Sequence, residues 1–424
     1  MLKLLIAILI FVATLLLVNF KPKGIPIGYS ALIGGALTLI LGISNIHDVV
    51  LVFDIVWDAT FTFVAIIIMT LILDEAGFFD YIAYKILGLG NRLGKAFVLL
   101  LLLDAVVSAL FANDGAALVM TPIATSIISR SSIDERSKIV LMMGIGFVAD
   151  TASLPFIISN LVNIIDATYF NISFLLYAEY MIFPFIISVI ISVILYYFLL
   201  VRKTDKNQEL PSFQPTINDQ LLVKLGFPFI AILVLAYFLT SFAKIPVAMV
   251  AIPAATLLGI IAKRRKKIDI YKVVREAPWQ IVLFSLGMYI VVFGMGEQGV
   301  TNFLASTVCT LFSLPSPFNV IMEGLLFAFS AALMNNLPSV MINSLAIDST
   351  HSTNHFLLAL VNVISNDIGP KFTPIGSLAT LLWIYSLGRK HGVKIPLRIY
   401  VYLGLITTPI VLVATILSLW ILFL

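Results

Sequence analysis

Long apolar runs alternate with short polar interruptions from one end of the chain to the other. Runs of about 17–25 residues are long enough to cross hydrocarbon as helices. They predict spans over 2–20, 25–43, 57–75, 139–165 and 180–201, then over 225–241, 246–262, 279–297, 356–387 and 400–424. Between the third and fourth spans of each set lies a longer apolar block, 96–129 and 318–347, with an Asn-containing motif near its middle. The two sets repeat one another. Trp57, Glu75, Gly77, Ser108 and Asn113 recur 222 positions later as Trp279, Glu297, Gly299, Ser330 and Asn335. Ile25-Pro26-Ile27 pairs with Ile245-Pro246-Val247 at an offset of 220, and Ala149-Asp150-Thr151 with Asn366-Asp367-Ile368 at an offset of 217. A repeat with symmetric polar interruptions predicts a secondary transporter whose site lies at the repeat interface.

Each long block either crosses the membrane or returns to its own side, and the basic residues decide between the two. If both blocks return, 23 of the 26 Lys and Arg residues fall on one side, leaving only Lys3, Lys244 and Lys371 elsewhere. A full crossing at 96–129 would instead set Arg130, Arg136 and Lys138 opposite Lys85, Arg92 and Lys95. The positive-inside rule therefore favours ten spans plus two opposed hairpins, with both termini outside. The expected fold is an all-α polytopic membrane protein. It is an inverted repeat of two five-span halves, 1–203 and 225–424, each with a re-entrant helical hairpin and a discontinuous helix. The polar segment 204–224, with two prolines between Thr204 and Asp219, serves as a cytoplasmic linker. The expected location is a bacterial or archaeal plasma membrane.

Composition narrows the chemistry. The chain is 61% hydrophobic and 11% charged over 424 residues, which excludes a water-soluble globular domain. The stretch Leu4 to Val18 has no small-residue cleavage site before Lys21 and is expected to be a retained span. A single cysteine, Cys309, excludes an internal disulfide, a Cys-based metal cage and a trithiolate site. The net charge of +4 reflects topological signals, and no nucleic-acid partner is implied. No P-loop occurs, so the chain does not hydrolyse ATP by itself.

Polar groups inside the apolar sequence carry the candidate site. A hairpin tip within the membrane must line protein or water. Asn113-Asp114-Gly115 is a turn signal, and Pro338 suits the first turn of a helix that follows Asn335-Asn336. The second arm of each hairpin would aim free N–H groups at the site, favouring an oxygen-rich or anionic ligand. Helix breakers beside acids interrupt the fourth span of each half, in Asp150-Thr151-Ala152-Ser153-Leu154-Pro155 and in Ser365-Asn366-Asp367-Ile368-Gly369-Pro370. Ser159 and Asn160 extend the first break; Thr373, Pro374, Gly376 and Ser377 extend the second. Ionisable groups at this depth are costly and usually functional. Asp114, Asp150, Asp367 and Lys371 are the candidates for proton coupling, since a poorly solvated carboxylate is suited to carry protons. Asp367 and Lys371 stand four apart and would pair on one helical face if the turn between them survives Pro370. Glu75 and Glu297 lie at span ends and suit interfacial anchoring. Asp104, in the first hairpin, is either a packing or a relay residue. His351 and His355, with Asp348 nearby, have metal-pair spacing but no third firm ligand. No metal and no cofactor are expected.

Taken together, these motifs resemble the arsenite efflux pumps of the ArsB family, within the ion transporter superfamily that also holds NhaD-type sodium/proton antiporters and dicarboxylate transporters. The resemblance runs from the first span to the last. It rests on Phe111-Ala-Asn-Asp-Gly-Ala-Ala-Leu118, Ala149-Asp-Thr-Ala-Ser-Leu-Pro155, Ser159-Asn-Leu-Val-Asn163, Ala277-Pro-Trp279, Met334-Asn-Asn-Leu-Pro338 and Asp367-Ile-Gly-Pro-Lys-Phe-Thr-Pro-Ile-Gly-Ser-Leu-Ala379. It implies export of arsenite and antimonite in exchange for protons, a homodimer by superfamily analogy, and in some bacteria a separate cytoplasmic ATPase partner. Arsenite at neutral pH is an uncharged trihydroxide. Asn113, Asn335, Asn336, Thr151, Thr373 and Ser377 would form an amide- and hydroxyl-lined site for it, with Asp114, Asp150 and Asp367 beside them.

Four other functions fit part of the pattern. A sodium/proton antiporter would use the same Asn-Asp tips and freed carbonyls, and the residues alone leave it open. A dicarboxylate carrier lacks an Arg at membrane depth to pair the substrate. An intramembrane aspartyl enzyme on Asp150 and Asp367 lacks a Gly-x-Gly-Asp setting. A passive channel gives no reason for two opposed charged hairpins.

Overall fold

In hydrocarbon every backbone polar group must be satisfied within its own segment, and helices do this. The computed structural model describes residues 2–90, 92–129, 134–201, 208–209, 214–350, 354–377, 380, 383–384, 387 and 394–424. They are nearly all helical, with no strand among the described residues. The first half runs α1 (Leu2–Phe20), α2 (Ile27–Ile40), α3 (Ile46–Ala76), α4 (Phe78–Leu87), α5 (Leu93–Phe111), α6 (Asn113–Ser129), α7 (Glu135–Thr151), α8 (Leu161–Tyr169) and α9 (Phe174–Val201). The second runs α10 (Gln220–Ser241), α11 (Ala248–Arg265), α12 (Ile270–Glu276), α13 (Trp279–Met295), α14 (Thr301–Leu311), α15 (Phe318–Met334), α16 (Asn336–Asp348), α17 (His355–Ile368) and α18 (Leu397–Ile421). Seven helical stretches among the described residues are long and apolar enough to span a membrane alone.

The halves share their element order. In each, a long span ends at a glycine in the left-handed region, Gly77 (φ 88°) or Gly299 (φ 107°), and a short helix follows. Next come two helices packed against each other across one left-handed residue, Ala112 (φ 63°) or Asn335 (φ 81°). The turn of the first pair is therefore Ala112, and Asn113-Asp114-Gly115 forms the first turn of α6 instead of the bend the sequence suggested. Both fourth spans are broken: α7 and α8 are separated at 152–160, and α17 ends in two 310 turns, Gly369–Phe372 and Pro374–Gly376.

Several spans begin earlier than expected, the third by the widest margin. The third span begins at Ile46, because Asn45 and Asp48 form a capping box whose side chains bond each other's backbone N–H at 3.1 and 2.7 Å. In the second half Ala277-Pro278 separates α12 from α13 at a point that corresponds to Ile55-Val56, where α3 is continuous.

The halves interlock by exchanging helices. Helix α2 packs on α13 of the other half, and α11 packs on α3. Asp58 of α3 accepts the Ala248 N–H at the start of α11 (2.7 Å), while Gln280 of α13 accepts the Gly28 N–H at the start of α2 (3.0 Å). Asp58 and Gln280 are 222 positions apart and Gly28 and Ala248 are 220 apart, so each half caps the other by the same device. Small residues let α2 and α13 meet closely: a methyl at Gly287 would lie 2.5 Å from the Ala31 carbonyl oxygen. Outward, α9 exposes Ile182, Ile186, Ile190 and Ile194 at four-residue spacing, a face for lipid. The buried polar residues concentrate where the hairpin turns meet the broken helices.

Candidate functional site

Unwinding at the two breaks brings residues of both halves together. Helix α7 ends at Thr151, ahead of Pro155, and between it and α8 the chain forms only one 310 turn, Ile157–Ser159. Asn163 compensates, donating to the carbonyls of Ser153 (2.6 Å) and Phe156 (3.2 Å). Ser159 ties the break to the first hairpin through the Ala109 carbonyl (2.6 Å). In the second half Thr373 donates to the Ala332 carbonyl (2.6 Å) and accepts the Gly376 N–H (3.2 Å), holding the 310 turns against α15.

The tip asparagines each reach the break of their own half. Asn113 Nδ2 donates to Asp150 Oδ1 at 2.8 Å, and Asn335 Nδ2 donates to the Ile375 carbonyl at 3.2 Å. The two breaks are then laced to each other across the repeat. Lys371 forms an ion pair with Asp150, donates to the Gly146 carbonyl at 2.7 Å and stands 5.1 Å from the Phe147 ring centre. In return Asp367 accepts from Ser153 Oγ (3.2 Å) and Asn160 Nδ2 (2.6 Å) of the first half. Lys371 and Asp367 are each 1% exposed, so both side chains lie inside the protein.

This geometry corrects the expected pairing of Asp367 with Lys371. Helix α17 stops at Ile368 and Gly369-Pro370 starts a 310 turn, so the two side chains do not share a helical face. Lys371 turns to Asp150, and Asp367 turns to the polar groups of the first break. The other predicted residues divide. Asn336 is buried in the first turn of α16, Ser377 is buried and accepts the Thr380 N–H at 3.5 Å, and Asp114 is half-buried in the first turn of α6. Thr151 faces α9 instead, 3.2 Å from Ser192 Oγ. Asp104 is buried in α5, and among the described residues neither of its oxygens has a hydrogen-bond partner. Glu75 pairs with Lys272 at 3.1 Å on the surface, as suits an interfacial anchor, and Glu297 is exposed. His351 lies outside the described residues, His355 bonds Thr350, and the described residues hold no metal-ligand cluster.

A second polar cluster escaped the sequence reading. Asp166 Oδ1 accepts from Ser344 Oγ (2.7 Å) and Asn362 Nδ2 (2.8 Å), and Asn362 Oδ1 accepts from Asn343 (3.0 Å) and Asn366 (2.7 Å). Asp166 falls one residue beyond the predicted end of the fourth span. The three-residue spacing of Asn160, Asn163 and Asp166 was the available signal.

Comparison with known proteins identifies the family. The family model described as "Arsenical pump membrane protein" (ArsB) matches residues 6–423. The chain is 41% identical over 417 residues to an arsenical pump membrane protein of Escherichia coli K12, and 40% identical to one of Yersinia enterocolitica, covering 97% of both chains in each case. A putative arsenical pump membrane protein of Bacillus subtilis is 25% identical over 438 residues, covering 97% of this chain and 98% of that one. Among solved structures, the YdaH transporter of Alcanivorax borkumensis shares the fold, with a TM-score of 0.56 at 13% identity over 88% of this chain and 87% of that one. A match along nearly the whole chain, on a helical frame whose charged residues meet at two broken spans, places it in a family: the chain belongs to the ArsB family of arsenical pump membrane proteins and is a multi-pass membrane transporter.

Proposed function

We propose that the chain is a secondary active exporter of arsenite, and of antimonite, driven by inward proton movement through alternating access. The observation that carries this reading is the Asp150–Lys371 pair, which joins the two broken helices across the repeat while Asn113 of the hairpin tip holds the same carboxylate. A neutral trihydroxide needs acceptors for its O–H groups and donors for its oxygens, and the amides and hydroxyls at the tips and breaks supply both. Its export gains nothing from the membrane potential unless a charge moves with it. A proton entering through Asp114, Asp150 or Asp367 supplies about 2.3 kcal/mol per 100 mV. Protonation of Asp150 discharges one side of its pair, leaving Lys371 to the Gly146 carbonyl and the Phe147 face and freeing the Asn113 amide. Proton and arsenite thus compete for one set of partners, and the hairpins and broken helices move as a unit against the remaining spans. The halves are inverted with both termini outside, the working form is a homodimer, and a separate cytoplasmic ATPase is compatible with the basic cytoplasmic side that the sequence predicts but not required.

The test is arsenite accumulation by energised everted membrane vesicles containing this chain alone, with and without a protonophore. Accumulation that collapses with the protonophore supports the reading. A sodium-driven proton flux with no arsenite movement would hand the assignment to a sodium/proton antiporter. Within an active preparation, Asp114→Asn, Asp150→Asn and Asp367→Asn are tested singly. At least one abolishes proton-driven accumulation, and full activity in all three sinks the coupling assignment.

A further inference from the structure

The cluster around Asp166 belongs to a longer polar stripe. Helix α8 and its cap carry Asn160, Asn163, Asp166 and Tyr169 at three-residue spacing, a stripe that winds around the helix. The helix meets α16 and α17, while Asn163 turns back to the carbonyls of the first break. At its inner end Asn160 holds Asp367 at 2.6 Å. Midway, Asp166 takes hydrogen bonds from Ser344 and Asn362. At the far end the Tyr169 hydroxyl donates to Asp348, at 3.3 Å, where the chain is exposed. Polar contacts therefore run from the breaks to one surface of the protein, the extracytoplasmic one in the orientation proposed above.

Several buried groups along this stripe are unsatisfied. Among the described residues Asn163 Oδ1, Asp166 Oδ2, Tyr177 Oη and Asn366 Oδ1 have no hydrogen-bond partner. A buried polar group left without a partner is destabilising. Their concentration in one interface marks a place for bound water, which settles where several polar groups converge. A cavity of about 410 Å3, lined by Trp57, Asp58, Ile157, Thr168, Asn171 and Lys244, lies alongside the same helix.

We infer that Asp166 is the relay carboxylate of the outer half of the protein, receiving protons from the extracytoplasmic side and passing them to Asp367 through water held between α8 and α17. This rests on the proton-coupled reading. Each transfer moves one proton: external water protonates Asp166 Oδ2, and Asp166 then returns to the carboxylate as a water chain delivers a proton to Asp367. Asn362, which binds Asp166, precedes Asp367 by five residues in α17, a rise of about 7.5 Å that water can bridge. The titratable groups beside this path are Tyr169 of α8, Asp58 of α3, Tyr177 of α9, Asp348 of α16, and His355 and Asp367 of α17, with Asp150 and Lys371 acting on Asp367 at its inner end. None of those helices carries a Lys or Arg. Asp150 is paired with Lys371, whereas among the described residues Asp166 forms no ion pair, which suits it to gain and lose a proton.

The experiment uses everted vesicles containing the full chain, whose lumen corresponds to the outer face. Arsenite accumulation is followed as luminal pH is varied, beside arsenite–arsenite exchange, which needs no net proton movement. Wild type gains from luminal acid. Asp166→Asn should lose that gain, slowing proton-driven accumulation by about a hundredfold, while exchange continues; Asp166→Glu should restore it. An Asp166→Asn variant with the wild-type luminal pH profile overturns the inference. So does one that loses exchange as well, since that outcome assigns Asp166 to structural anchoring. If wild type itself shows no protonophore-sensitive accumulation, the proton-coupled reading fails first and separately, and this inference falls with it.

Discussion

A single buried cation organises the candidate site. Lys371 is bound by Asp150, by the Gly146 carbonyl and by the face of Phe147, all from α7 of the opposite half. Removing one member of a buried pair leaves an uncompensated charge and costs about 3–5 kcal/mol, whereas removing both is far milder. Lys371→Met should therefore lower the melting temperature in detergent sharply. The double variant Asp150→Asn, Lys371→Met should recover most of that stability, yet still fail to accumulate arsenite. A double variant as unstable as the single one would mean that the pair does not hold the breaks together. The sequence pointed to Asp114, Asp150, Asp367 and Lys371, because an ion in an apolar run stands out. It did not reveal who pairs with whom. The four-residue spacing of Asp367 and Lys371 assumed a continuous helix, and Gly369-Pro370 removes it. Asp166 was hidden for the opposite reason, since a carboxylate at the edge of a predicted span reads as interfacial until α16 and α17 are seen to cover it.

At the scale of elements, turns and caps set how the helices meet. The Ala112 backbone sits at φ 63°, ψ 148°, a region that side chains disfavour and glycine accepts. Ala112→Gly should raise thermal stability by about 1 kcal/mol through relief of this strain; an unchanged or lower melting temperature would show that the tip bears none. The inter-half linker is fixed by a different device. Asp219 caps α10 through the Leu221 and Leu222 N–H groups (2.9 and 3.3 Å) and accepts from Arg265 Nε of α11 at 3.0 Å. Its own N–H and that of Asn218 bond the Ala76 carbonyl, which seats the linker on the end of α3. Burial works against the Asp219 charge, but Arg265 and the capped N–H groups outweigh it and hold the carboxyl below its usual range. Because the folded value is the lower one, this clasp stabilises fully above about pH 4 and is lost as the pH falls further. Asp219→Asn should keep the cap and lose the Arg265 pair, so melting curves between pH 3 and 7 should show a shallower acid decline than wild type. Parallel declines would assign the acid sensitivity to other carboxylates. The helices themselves were legible from apolar run length. The start of α3 and the position of the first hairpin turn were not, because a capping box and a strained alanine are local choices that periodicity does not report.

Across the whole molecule, the repeat was the most legible feature, and its offset of about 220 reappears in backbone detail the sequence does not display. Lys21 and Lys244, 223 positions apart, both take left-handed conformations (φ 44° and 52°) just before the second span of their half. Asp58 and Gln280 then cap the opposite half's second helix by the same exchange. Equivalent positions in an inverted repeat lie on opposite membrane faces, and in a parallel repeat they lie on the same face. Lys21 and Lys244 are both exposed, and the chain's one cysteine is replaceable, so the two arrangements are separable by labelling. In a Cys309→Ser background, Lys244→Cys should react with an impermeant maleimide in intact cells, and Lys21→Cys only in everted vesicles. Labelling of both from one side would make the repeat parallel. It would also set the Asp166 stripe and the basic face on the wrong sides for inward proton flow, since the outer path and the cytoplasmic charge are assigned by one orientation. Labelling from opposite sides fixes that orientation and places the paired breaks between the two faces, where alternating access needs them.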